Sequence, residues 1–196
     1  VLRLRDGGLV VHSPLRFDDE TAGRIDALGP VRWIVAPSGF HHLSAGQARD
    51  RWPGATLLIA DEVRRKRPDL ASAGRIGDAD WGDEIVATHI DGAPKADEWI
   101  FRHERSGTLV LTDLLFNLRE TRGWLSPLVF RLTGCHCCMA QSRLWRVWTE
   151  DRAAVRRSVK RALAPAFGRV VVGHGDVLEG EVRDRTEAAL AWTLAD

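Results

Sequence analysis

Four places in the chain put a histidine or an aspartate directly after an apolar run. Val31 to Ala36 (VRWIVA) leads into Pro37-Ser38-Gly39-Phe40-His41-His42, and Thr108 to Thr112 (TLVLT) into Asp113. Arg169 to Val172 (RVVV) leads into Gly173-His174-Gly175-Asp176, and a run ending near Ala87 leads into His89. Imidazole and carboxylate together suit borderline metals such as zinc, iron or manganese. His41, His42, Asp113 and His174 would supply three nitrogens and one carboxylate. Each also has a plainer reading. A strand-end aspartate often caps a helix, here one starting at Leu114, and a histidine beside glycine often only hydrogen-bonds within a turn. Asp176 either accepts from the His174 imidazole, as ligating histidines usually require, or caps the turn that follows. His12, before Ser13-Pro14, reads as a turn residue at a strand end.

Two other clusters invite chemistry and fit it less well. Gly134-Cys135-His136-Cys137-Cys138 is too tightly spaced to wrap one ion tetrahedrally, and no second CxxC half exists. It reads as a loop over the site, with partly exposed thiols. Arg64-Arg65-Lys66-Arg67 lacks interleaved aromatics and reads as a solvated helix end rather than a nucleic-acid patch. The chain has no Walker loop, GxGxxG or GxSxG elbow.

The elements that must position these residues alternate between strand and helix. Leu9 to His12 is a short strand, and Asp19 to Leu28 a helix capped by Asp18 or Asp19 and stopped at Gly29-Pro30. Ser44 to Arg51 reads as a helix, Thr56 to Ala60 as a buried strand, and Asp61 to Arg67 as a basic helix. Strands follow at Glu84 to Ile90, Trp99 to His103 and Thr108 to Thr112, the last two joined as an antiparallel hairpin through Ser106-Gly107. Ser142 to Ala164 predicts a helix whose apolar face carries Leu144, Val147, Trp148, Val155, Val159 and Leu163. Arg169 to Val172 is the last strand and Glu181 to Leu194 a closing helix. Because the apolar strands do not alternate, they predict sheets covered on both faces. The class is α/β with a mixed sheet.

At 196 residues with 44% apolar and 28% charged side chains, the chain suits one folded domain, residues 1–196. Its formal net charge of +1 supplies no broad positive field for nucleic acid or an anionic membrane surface. No apolar run spans a bilayer, and the first residues are too charged for a signal peptide. Three clustered cysteines point to a reducing, cytoplasmic compartment.

The order PSGFHHL, then LVLTDLLFN, then VVVGHGD resembles the metallo-β-lactamase superfamily from about Gly8 to Trp192. It is closer to a branch catalogued as a domain of unknown function, in which the leading motif has degenerated. The resemblance implies a four-layer αββα sandwich with the site at one edge of two sheets. In the superfamily the first loop reads HxHxDH. With its last histidine on His42, Pro37 and Gly39 stand where the first two should be, and His41 takes the aspartate's place. The next ligand, a histidine in a PGH-like turn, falls on Ala93. Asp113 matches the bridging aspartate and His174 the final histidine. The missing ligands are those of the first metal, so the resemblance implies one ion in place of two. His41, His42, Asp113 and His174 would hold it, with Asp113 and Asp176 as catalytic residues.

The resulting expectation is a metal-dependent hydrolase of the ester, thioester or phosphodiester class. It would use one transition-metal ion (zinc, iron or manganese) and a small-molecule substrate, with neither nucleic acid nor membrane as partner. A vestigial binding protein and a mononuclear redox protein are the alternatives. Substrate-lining loops are expected around Gly74 to Gly82 and Asn117 to Cys138.

Overall fold

The computed structural model describes residues 1–120 and 126–195, so residues 121–125 of the second lining loop lie outside the described residues. The chain divides into two compact units, Val1–Glu84 and Ile85–Asp196.

The first unit is built on one five-stranded sheet in the order β1 (Leu2–Arg3), β2 (Leu9–His12), β3 (Val31–Ala36), β4 (Thr56–Ile59), β5 (Gly74–Arg75). All neighbours run parallel except β1 with β2. Ile34, Val35 and Ala36 are fully buried one after another, the burial of a parallel strand covered on both faces. Crossovers run through α1 (Asp19–Asp26), α2 (Ala45–Arg51) and α3 (Asp61–Lys66). The Asp18 side chain accepts from Thr21 N and caps α1, as the sequence predicts.

In the second unit, β6 (Ile85–His89), β7 (Trp99–His103), β8 (Thr108–Val110) and β11 (Arg169–Val171) form a sheet in the order β11-β8-β7-β6. The β7–β8 pair is the expected hairpin, with Gly107 left-handed at φ +56°. β8 and β11 run parallel. A small sheet joins β9 (Phe116–Asn117), β10 (Met139–Ala140) and β12 (His174–Gly175), in the order β10-β9-β12. The helices are α4 (Ser126–Thr133), α5 (Arg143–Val147), α6 (Arg152–Leu163), α7 (Val182–Ala189) and α8 (Ala191–Leu194). No helix among the described residues is long and apolar enough to cross a membrane.

The helix predicted over Ser142 to Ala164 is two helices. Ser142 caps the first by accepting from Leu144 N, and Asp151 caps the second by accepting from Ala154 N. Between them, Glu150 N and Asp151 N both donate to Gly92 O, at 2.8 and 3.0 Å. The break changes the buried face. Leu144 and Val147 are exposed, and Trp145 is fully buried in their stead. Helical spacing counted across a capped break assigns the wrong face.

His89, at the end of β6, does not act as a free strand-end histidine. Its Nδ1 lies 2.8 Å from Asp91 Oδ1 and its Nε2 2.8 Å from Asp97 Oδ1. Asp91 is also bonded by Ser158 Oγ of α6 and approached by Arg161 of the same helix. Two carboxylates, Asp97 first, hold the His89 pKa above its ordinary value against the opposing effect of burial. A raised pKa gives stability that is present below the unfolded value and lost as pH rises through the folded one. The ring is about one-third exposed, so screening keeps the effect to about 1 kcal/mol or less. Thermal melts from pH 6 to pH 9 should show a decline in the wild type, relative to His89→Gln, of roughly 1–4 °C. Parallel curves for the two proteins would refute the tie.

Candidate metal centre

In the first unit, β3 delivers its last buried residue to the loop Pro37–His42. Ser38 is fully buried, and its hydroxyl accepts from Phe40 N at 3.4 Å and His41 N at 3.3 Å, which turns the chain away from the strand direction. Lys66 Nζ donates to Gly39 O at 2.8 Å and stands over the Phe40 ring, and Arg67 donates to His42 O. The basic end of α3 is therefore only partly the solvated face that the sequence suggested. Arg65 is solvated, but Lys66 and Arg67 pin the histidine loop.

The two histidines of that loop differ. His41 Nδ1 lies 2.6 Å from Ser13 Oγ. Ser13 holds a left-handed φ of +51° while its N–H donates to Val35 O. Strain of this kind at a non-glycine residue commonly marks a positioned side chain, and the position here serves His41. His42 has a buried Nδ1 without a hydrogen-bond partner among the described residues. Burial, followed by the charges of Arg67 and Lys66, holds its pKa down. Neighbouring His12 is pushed down to about 3, first by burial, and stays neutral.

In the second unit, β8 ends at Val110 and the chain turns through Thr112 to Asp113. No helix starts at Leu114, so Asp113 is not a cap. It is almost fully buried, with Oδ1 3.3 Å from His174 Nε2. The parallel pairing of β12 with β9 sets His174 opposite Phe116, and the imidazole stacks on the phenyl ring at 4.8 Å and 10°. Gly175, at φ +115°, lies so close to β9 that a Cβ there would stand 2.1 Å from Asn117 O. Asp176 N donates to the same Asn117 O, and Asn117 Nδ2 donates to Asp176 O. The Asp176 carboxylate itself is 3.5 Å from Arg119 Nε. Leu118, Arg119, Glu120, Gly175 and Asp176 line a cavity of about 360 Å³.

Asp113 and His174 are thus brought together within this unit as the sequence suggested. Glu98 was not anticipated. It is fully buried, and its carboxylate accepts from Thr112 N, Asp113 N and Trp145 Nε1 at 2.7, 3.2 and 3.1 Å. Burial, and then the Asp113 charge, raise its pKa to about 7. The only trace in the sequence is an acid abutting the apolar run of β7. Ser13 left a similarly faint trace in Ser-Pro. Cys135 is buried with its thiol pKa pushed up by burial, while Cys137 and Cys138 are exposed.

No family model matches the sequence, and no curated protein does. Solved structures do. A metallo-β-lactamase from Pontibacter korlensis is 14% identical, with a TM-score of 0.57 over 97% of this chain and 84% of its own. The metallo-β-lactamase FIM-1 from Pseudomonas aeruginosa, in its mono-zinc form, is 16% identical, with a TM-score of 0.54 over 96% and 80%. The flavodiiron protein from Giardia intestinalis is 14% identical, with a TM-score of 0.60 over 95% of this chain and 49% of its own. Metallo-β-lactamases and a flavodiiron protein both appear among these neighbours, so the likeness speaks to architecture rather than to activity. The chain has the metallo-β-lactamase fold.

Proposed function

We propose that the protein is a metal-dependent hydrolase acting on small ester, thioester or phosphodiester substrates through a single transition-metal ion. Asp113 and His174 of the second unit hold the ion, and the sequence pattern adds His41 and His42 as its further ligands. The observation that carries the reading is the Asp113–His174 pair at 3.3 Å. Two donor atoms bound at about 2.0–2.2 Å to one tetrahedral ion stand about 3.3–3.6 Å apart. Each donor is also fixed from behind, as ligands need to be: Asp113 through its main chain, His174 by Phe116, His41 by Ser13. Pro37, Gly39 and Ala93 offer no side-chain ligand atoms, which supports one ion rather than two. The mono-zinc form of FIM-1 supports that a single ion is compatible with the fold.

A bound ion would supply a water of lowered pKa and a Lewis acid for the substrate oxygen. Asp113 contributes the carboxylate oxygen and so lowers the net charge of the site. His174 contributes Nε2, its ring plane kept by the stack on Phe116. Asp176, at the cavity wall, would serve as the orienting or general-base carboxylate. The clustered thiols favour a cytoplasmic setting. The donor set favours a second reading, because two imidazoles and one carboxylate are also the ligands of non-haem iron(II) proteins.

Elemental analysis of protein purified without added metal tests the proposal. One ion per chain is expected, lost in Asp113→Ala and in His174→Ala and unchanged when Cys135, Cys137 and Cys138 become serine. Two ions per chain, or retention in both single variants, would defeat it. Hydrolysis of generic esters and phosphodiesters should be weak, absent in Asp113→Ala, and higher in His41→Asp, which restores the superfamily's carboxylate. Assays with zinc, manganese and iron(II) separate the two readings. Oxygen consumption with iron(II), without hydrolysis under any of the three ions, would favour the redox one.

A further inference from the structure

We propose that Glu98 is a positioning residue for Asp113: its buried carboxylate fixes the turn after β8 and so sets where the Asp113 side chain stands. The inference rests on the reading of Asp113 as a ligand and adds a residue to that site.

The backbone accounting leads to it. The β8 ladder closes with Leu111 N donating to Val171 O at 2.9 Å. The next two amides, Thr112 N and Asp113 N, have left the sheet, and both are directed at one carboxylate, Glu98 Oε1 and Oε2 respectively. Successive amides of an extended strand point to opposite sides, so two can converge on one group only where the chain turns. Glu98 holds that turn. Its own position is fixed from two directions. Ile90 N donates to Glu98 O at 2.9 Å, and Asp97 before it is left-handed at φ +43° with its carboxylate on His89. The third donor, Trp145 Nε1, comes from α5 and closes the cage.

A merely structural role would be filled better by other side chains. An ionisable group at full burial is costly, and an apolar residue of similar volume in such a place is often neutral or stabilising. What an apolar residue cannot provide is an acceptor for two consecutive amides. Glutamine cannot provide it fully either, since one of its two polar atoms is a donor facing donors. The particular use of a carboxylate here is the geometry of Thr112-Asp113, 3.3 Å from His174 at its far end.

The test compares zinc affinity with thermal stability in the full chain. Glu98→Gln should fold and bind zinc about 10–100-fold more weakly than wild type. Trp145→Phe removes only the third donor and should bind within about threefold of wild type, even where its melting temperature falls more. Adding Glu98→Gln to Asp113→Asn should weaken binding no further, since the two act through one ligand. Unchanged affinity in Glu98→Gln, or losses that follow melting temperature across both variants, would overturn the proposal. If the wild type takes up no zinc, manganese or iron, the metal reading falls, and amide exchange decides the role of Glu98 alone. Protection lost selectively at Thr112 and Asp113 in Glu98→Gln would uphold it. Protection kept there, or lost evenly across residues 85–195, would overturn it.

Discussion

Trp145→Ala should lower the stability of the protein by about 3–5 kcal/mol, which for a chain of this size is a fall in melting temperature of roughly 6–20 °C. Two losses combine. Among the described residues Trp145 is the largest fully buried side chain, and its removal opens a cavity that the surrounding main chain can only partly fill. Its indole N–H is also one of three donors to the buried Glu98 carboxylate, and that oxygen would face fewer partners inside the protein. Trp145→Phe keeps most of the volume and loses only the donor, so it should cost about 1–3 kcal/mol. Calorimetry on the two variants separates filling from hydrogen bonding. A Trp145→Ala variant within 1 kcal/mol of wild type would mean that α5 collapses freely onto its neighbours.

Adding one methyl group should do nearly as much harm at Gly175. A Cβ there meets backbone, Asn117 O at 2.1 Å and Asn117 C at 2.4 Å, on a residue at φ +115°. Neither atom can move without parting β9 from β12. Gly175→Ala should cost about 2–4 kcal/mol, above the 1–3 kcal/mol of left-handed strain alone. Gly82→Ala is the matched control, because Gly82 is also left-handed at φ +58° but has nothing within 4 Å of its Cβ position. The excess of the first variant over the second measures the clash. On the proposed function, Gly175→Ala should also lose most of its zinc uptake, since the parted strand carries His174, whereas Gly82→Ala should keep it. Equal melting temperatures in the two variants would show that the strands yield.

The strands were legible because their apolar runs are contiguous, and Gly29-Pro30 and Ser106-Gly107 mark real ends and turns. Asp113 and His174 were legible because strand ends are where an α/β scaffold can fix a side chain while leaving it accessible. The apolar face of α5 was not, because the caps at Ser142 and Asp151 reset the helical phase between two segments that look continuous in sequence. Glu98 was not legible for a different reason. Its meaning depends on amides 14 and 15 residues away, and backbone groups have no sequence signature. The same holds for Ser13, whose partner His41 lies 28 residues further along the chain. Residues that carry chemistry announce themselves by type, whereas residues that aim them are defined by what the fold brings near.

The two parallel pairings of the second unit also set an order of events. The β6–β7 and β7–β8 pairs close over neighbouring stretches of chain, whereas β8 pairs with β11 across a sequence separation of 61 residues, and β9 with β12 across one of 58. Short closures are fast and long ones slow. During synthesis Asp113 leaves the ribosome long before His174, so the two side chains come to stand 3.3 Å apart only after the long closures are made. Their meeting marks the completion of this unit rather than its nucleation.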